Sequence, residues 1–309
     1  MFQVRIWGDR GSMPCPGPDT VLFGGNTSCI ELRLGDPERP RLVIIDAGSG
    51  IRQLGDHLMR TDFKRGPIDA DMFITHTHWD HIMGFPMFTP IYVPGTKLRI
   101  HGAVTYEEDT LKDIIGNQLS YKYWPVRQSE LAADIGYKHL KETVLDMGDG
   151  LTLRTKYLNH PIVCLGYRFE FEGKAFVTAY DHEPFQNIFP TDPGHPDYDA
   201  IAAEEGERAA REENERVLQF FKGADFLIHD SQYTEKEYKA SKQGWGHSSY
   251  ERAINSAHRA GVKRLALFHH DPNRTDAELT ELELRYQGMV REKTSMEVMM
   301  AREGLIVTL

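Results

Sequence analysis

Short apolar runs broken by turn residues divide this sequence into elements, and the spacing within each run says which element it forms. Residues 2–7 read as a first strand, followed over 8–25 by a long loop crowded with Gly and Pro. Residues 28–34 and 42–46 read as the next two strands, joined through Gly35-Asp36-Pro37. Ala47-Gly48-Ser49-Gly50 then turns the chain into a helix with Ile51, Leu54 and Leu58 at helical spacing. A further strand is expected at 71–75 and a helix at 106–118. The aromatics Tyr106, Tyr121, Tyr123 and Trp124 near that helix would either pack under a long loop or wall a cleft.

The second half repeats the style, with strands expected at 151–159, 163–171 and 174–179, the last two split by Glu172-Gly173. An acidic helix follows over 198–222, its Glu-rich face solvated, and then a strand at 224–229. Ser248-x-x-Glu251 and Thr275-x-x-Glu278 read as capping boxes opening helices at 248–260 and from 275 onward. Residues 263–269 between them read as the last core strand. Because strands and helices alternate in both halves, the pattern predicts an α/β chain of two mixed β-sheets packed face to face with helices outside. We expect a single domain over 1–309 built of two similar halves, with variable segments at 105–145 and 182–222.

Composition narrows the setting. The 309 residues are 40% hydrophobic and 27% charged, which supplies a sizeable core. No run approaches the roughly 18 apolar residues that span a bilayer, and residues 1–7 lack a signal-peptide layout. Cys15, Cys29 and Cys164 form no C-x-x-C pair. The expected place is therefore the cytoplasm, without membrane contact or structural disulfide. A net charge of −10 argues against a broad surface for large nucleic acids. It leaves room for a small anionic substrate, because bound metal ions make a site locally positive.

Candidate chemistry is concentrated in Thr75-His76-Thr77-His78-Trp79-Asp80-His81, directly after an apolar run. His76 and His78 alternate as neighbours on one side of an extended chain, so both can hold one ion. Asp80 and His81 follow where the chain turns, and can reach a second. Downstream, His160, Asp181 and either His269 or His270 each stand just past an expected strand. His269 is preferred because it ends its strand. These make seven candidate ligands, enough for two Zn-class ions at three or four protein ligands each. Asp181 is the natural bridge, since a carboxylate offers two oxygens and an imidazole one nitrogen. His57, His101, His139, His182, His195 and His258 read as surface or helix residues, with His182 positioned to line the cleft.

His76-Thr77-His78-Trp79-Asp80-His81 resembles the H-x-H-x-D-H signature of the metallo-β-lactamase fold, whose architecture is a four-layer αββα sandwich. Asp46 resembles that family's first Asp, which steadies the metal loop. Gly246-His247-Ser248-Ser249, followed by a helix and a strand ending at His269, resembles the ribonuclease Z and phosphodiesterase branch. His229-Asp230-Ser231 resembles the branch's His-Glu-Ala-Thr stretch. The resemblance implies that His247 is catalytic and that the Asp230 carboxylate orients it. It departs from ribonuclease Z in having Asp230 for Glu, Ser249 for Thr, and no basic Gly-rich arm for transfer RNA.

The resemblance implies a hydrolase with two divalent ions, Zn²⁺ first, with Mn²⁺ or Fe²⁺ compatible with His/Asp ligands. A small phosphodiester such as a cyclic nucleotide is the expected substrate. Hydroxide held at the ions, with Asp80 among their ligands, would attack phosphorus while His247 protonates the leaving group. Rival readings are ribonuclease Z-like processing of RNA 3′ ends, a lactonase or other ester hydrolase of the same fold, and a non-catalytic metal sensor. A homodimer is the oligomeric state the branch implies.

Overall fold

The computed structural model describes residues 1–103 and 109–309. Among them, fourteen strands form two seven-stranded sheets. The first sheet contains β1 (Phe2–Gly8), β2 (Cys29–Leu34), β3 (Arg41–Ile45), β4 (Asp69–Ile74), β5 (Lys97–Ala103) and β6 (Asp134–Leu140) side by side. The second runs in space from β7 (Val144–Asp146) through β8 (Thr152–Leu158), β9 (Cys164–Phe171), β10 (Lys174–Ala179), β11 (Phe226–Asp230) and β12 (Arg264–Phe268) to β13 (Glu297–Met300). The last strand, β14 (Ile306–Thr308), returns to the first sheet and pairs antiparallel with β1, Val307 opposite Val4.

Alternation along each strand sorts side chains into layers. On β3 and β4, Val43, Ile45 and Phe73 join the apolar layer between the sheets. Their neighbours Leu42, Ile44, Met72 and Ile74 pack with Ile51, Leu54 and Leu58 of α1 (Ile51–Arg60) on the outer face. On the second sheet, Phe176, Phe226, Ile228 and Phe268 face inward. Val177, Leu227, Leu265 and Leu267 pack outward with residues of α4 (Ala200–Phe221), α6 (Tyr250–Arg259) and α7 (Asp276–Arg291). Three apolar seams separate four layers, the expected αββα sandwich.

Several local expectations change. β12 is not the last core strand, because β13 pairs parallel beside it and β14 follows. The cap of α6 is Ser249, whose side chain accepts from Arg252 N at 3.3 Å. Ser248 instead donates to His182 O at 2.6 Å, and Glu251 accepts from Tyr286 Oη at 2.8 Å. The Thr275 box is present as expected. The helix expected from 106 is seen as α3 (Leu111–Asn117), capped by Thr110, while Tyr106 and its neighbours through 108 lie outside the described residues. Tyr121 and Tyr123 are exposed, and Trp124 donates to Tyr92 Oη at 2.8 Å. All three cysteines are free. Among the described residues, no helix is long and apolar enough to cross a membrane.

Candidate metal centre

Strand ends deliver the cluster. β4 ends at Ile74, and the next residues swing into a single helical turn, α2 (Trp79–Ile82), which carries Asp80 and His81 inward. His160 follows β8, Asp181 follows β10 and His269 follows β12. Asp46, Asp181 and His269, each at or near the exit of a strand, have φ of 60°, 46° and 65°. Non-glycine residues rarely adopt this left-handed conformation, and it concentrates at functional sites where surrounding contacts hold it.

The seven candidate ligands come together as two groups that share Asp181. His76, His78, His160 and Asp181 form one, and Asp80, His81, Asp181 and His269 the other, the ligand atoms of each lying within 4.8 Å of one another. Asp181 turns one oxygen to each group. Its Oδ2 is 3.3 Å from His76 Nε2 and 3.7 Å from His160 Nε2. Its Oδ1 is 3.3 Å from His81 Nε2 and 3.2 Å from His269 Nε2. Asp80 Oδ2 lies 3.1 Å from His269 Nε2 and 3.4 Å from His81 Nε2. His270 points away, its Nε2 donating to Ala301 O at 3.0 Å.

Electrostatics and hydrogen bonding suit this donor set to divalent cations. Burial lowers the pKa of His76 well below its ordinary value and that of His160 to about 4, and it lowers His78 as well. These shifts favour the neutral imidazole, the form that ligates. Burial opposes ionisation of Asp181, but the surrounding His269, His81 and His76 hold its carboxyl well below the usual range. Asp80 is likewise held far down by His81 and His269 against its burial. Around His81, burial is outweighed by Asp181, Asp80 and Asp46, which raise its affinity for a proton, and the same carboxylates would favour a metal cation. Although crowded by polar neighbours, buried His76 Nε2, His81 Nε2 and Asp181 Oδ1 make no hydrogen bond. Orphaned buried donors and acceptors are rare in native proteins, and here they converge. The residues present fit a pair of divalent ions.

Supporting contacts fix the rings. Asp46 accepts from Thr75 N at 2.7 Å and Thr75 Oγ1 at 2.8 Å, and His81 Nδ1 donates to it at 2.7 Å. That bond leaves His81 Nε2 facing the cluster, the usual way an outer carboxylate orients a ligating imidazole. His160 Nδ1 donates to Gly246 O at 3.0 Å with the same effect. Two partners lie in the loop over 8–25, to which the sequence assigned no role: Ser12 N donates to Asp80 Oδ2 at 2.8 Å, and Gly11 lies against the His269 ring. A Cβ on Gly11 would come within 2.4 Å of that ring, so only glycine fits without displacing it. The Gly11-Ser12 pair in this loop was the available signal, but nothing local tied it to residues 80 and 269.

His247 stands at the edge of the cluster, its ring stacked on that of His269 with centroids 4.8 Å apart. Its Nδ1 donates to Asp230 Oδ2 at 2.9 Å. Asp230 Oδ2 also accepts from His182 N and Ser248 N at 3.1 and 3.3 Å. Burial works against the imidazolium, but Asp230 beside it raises the His247 pKa to about 9. Two of the histidines read as surface or helix residues are buried: His101 on β5, 3.1 Å from Asp71 Oδ1, and His182. The His182 Nδ1 accepts from Asn159 N at 3.2 Å.

Sequence and structure comparisons agree with the fold. No family model matches the chain. It is 29% identical over 278 residues to ribonuclease Z from Lactococcus lactis subsp. lactis (strain IL1403), covering 79% of this chain and 83% of that protein. Among solved structures it is similar to the metallo-β-lactamase fold protein YhfI from Bacillus subtilis, with a TM-score of 0.63, 18% identity and coverage of 99% and 98%. It is also similar to the short form of human tRNase Z, with a TM-score of 0.61, 19% identity and the same coverage.

Proposed function

We propose that this chain, a metallo-β-lactamase-fold hydrolase of the ribonuclease Z branch, cleaves a small anionic phosphodiester such as a cyclic nucleotide. The observation that carries the reading is the pair of donor groups sharing Asp181, with His247, bonded to Asp230, stacked on one of their members. His76, His78, His160 and Asp181 would hold one ion, and Asp80, His81, Asp181 and His269 the other. Zn²⁺ is the proposed occupant, although a His/Asp set without thiolate also accepts Mn²⁺ or Fe²⁺. Ions held there supply positive charge against the phosphoryl oxygens and an activated water.

The protein's own part follows from its geometry. Asp46 and Gly246 O hold His81 and His160 with their Nε2 atoms toward the cluster, so no ring must turn when substrate arrives. Asp230 fixes the proton on His247 Nδ1 and stabilises the imidazolium, leaving Nε2 to carry the second proton. As the bond from phosphorus to the leaving oxygen breaks, that Nε2 proton passes to the oxygen, and water supplies the new oxygen on phosphorus. Such general-acid help is typically worth about 10²–10⁴ in rate.

The small-substrate reading is supported by the charge of −10 and by the exposed acidic residues of α4. Processing of RNA 3′ ends is the second reading, favoured by the ribonuclease relative. A side-by-side assay of the metal-reconstituted protein on a cyclic nucleotide, bis-nitrophenyl phosphate, a precursor transfer RNA and a lactone separates them. Faster turnover of the small diesters is expected. Preference for the precursor would replace the first reading with the second. Hydrolysis of a lactone alone would point to an ester hydrolase, and metal binding without hydrolysis to a sensor.

A further inference from the structure

Beside His247 lies a feature the hydrolytic machinery does not use. The chain leaves α5 (Glu235–Glu237) through one π turn, Tyr238–Lys242, and reaches His247 by way of Gln243-Gly244-Trp245-Gly246. Such π turns are found frequently at functional sites. Trp245 is 55% exposed, although a tryptophan is usually mostly buried.

The turn presenting this indole is firmly held. The buried Glu183 carboxylate accepts from Gly244 N through Oε1 and from Gly246 N through Oε2, both at 2.9 Å. It accepts as well from Tyr238 Oη and from Gln186 Nε2. Gly244 and Gly246 have φ of 80° and 85°, and a Cβ on Gly246 would fall 2.3 Å from His160 Nδ1. Trp245 thus sits between two backbone positions fixed by one carboxylate and keyed to the His160 ring. Lys242 Nζ lies 3.8 Å from the Trp245 ring centroid and 5.3 Å from that of Tyr233. The Tyr233 ring is 6.2 Å from His247.

We propose that Trp245, with Lys242, forms a recognition subsite for a nucleobase on the leaving-group side of the diester. This rests on the phosphodiesterase reading, because His247 there meets the leaving oxygen and Trp245 is two residues away. A rigidly presented aromatic face gives a base a stacking partner without ordering cost. Lys242 adds positive charge for a phosphate next to that base. The substrate class narrows to diesters whose leaving alcohol is a nucleoside or nucleotide.

The full-length, metal-loaded chain and its Trp245→Ala and Trp245→Phe variants can be compared on thymidylyl-(3′,5′)-adenosine and thymidine 3′-(methyl phosphate). Scored by release of adenosine from the first and of methanol from the second, both leaving groups are alkoxides and only the first carries a base. The ratio of kcat/KM between the dinucleotide and the methyl ester should fall roughly 5- to 150-fold in Trp245→Ala, the scale of a lost stacking partner. Trp245→Phe should keep most of it. Lys242→Ala should lower dinucleotide affinity and flatten its salt dependence. An unchanged ratio in Trp245→Ala would overturn the subsite while leaving the hydrolase reading standing. If the unmodified protein cleaves neither diester, titration with adenosine 5′-monophosphate decides the subsite. Equal affinity of the unmodified protein and Trp245→Ala for that nucleotide would refute it, and weaker binding by the variant would support it.

Discussion

Near the start of β4, Asp71 sits among His101, Arg99 and Arg41; beyond the end of the same strand stand His76, His78, Asp80 and His81. Both places bury histidine beside aspartate, and their hydrogen bonding differs in kind. Asp71 Oδ1 accepts from Arg99 Nε at 2.8 Å and pairs with His101 Nε2 at 3.1 Å, while Oδ2 accepts from Arg41 at 3.0 Å. The His101 ring stacks on Phe73 with centroids 4.5 Å apart, and Arg41 reaches Met147 O at 2.6 Å, across to the other sheet. That cluster is closed, with both Asp71 oxygens paired inside the protein. At the strand's far end, His76 Nε2, His81 Nε2 and Asp181 Oδ1 are buried, crowded and unpaired. A buried polar group left unpaired is destabilising by about 1–3 kcal/mol. Residue type alone therefore does not separate a structural cluster from a ligand set, but unpaired His and Asp atoms converging on one point do.

That contrast can be broken by substitution. Asp181→Ala should reduce diester hydrolysis by more than about 10³-fold, since both donor groups lose their shared carboxylate, while circular dichroism stays native. Loss of the native spectrum would instead class the cluster with Asp71 as structural. His247→Ala should slow substrates with alkoxide leaving groups by about 10²–10⁴ and activated nitrophenyl diesters much less. Equal slowing would remove the proton-donor role.

Asp71→Ala should act in the opposite sense, lowering unfolding free energy by about 2–3 kcal/mol in a denaturant titration while metal content is retained. That is less than the loss at a fully buried pair, because Arg41 and Arg99 are partly exposed. Burial opposes ionisation of Asp71, but His101, Arg99 and Arg41 hold its carboxyl well below the ordinary range. Its stabilisation is therefore complete above the unfolded-chain value of about 3.9 and is lost as pH falls through the lower folded value. The stability gap to Asp71→Asn should narrow in acid, and a gap independent of pH would contradict this. Asp46→Asn should have the smallest effect, about 10- to 100-fold in metal affinity, read by chelator competition, because His81 keeps its place but loses its orienting anion.

The same contrast explains what the sequence could reveal. The His76–His81 run is local, and the strands leading to His160, Asp181 and His269 carry plain apolar patterns, so these positions were visible. β5 was missed although Lys97-Leu98-Arg99-Ile100-His101 alternates polar and apolar residues, the period of a half-buried strand, and two of its polar residues belong to the closed Asp71 cluster. β13 and β14, four and three residues long, are too short to show a period. The contacts of Ser12 with Asp80 and of Glu183 with Gly246 join residues 68 and 63 positions apart, which no local pattern reports. Ser248 was misread as a cap because Ser248 and Ser249 are both competent, and the choice is made by His182 O.

The most direct measurement is elemental analysis of the chain purified without chelator and reconstituted with Zn²⁺. About two metal equivalents per chain are expected, from two donor groups that share one carboxylate. One equivalent or none would contradict a paired centre.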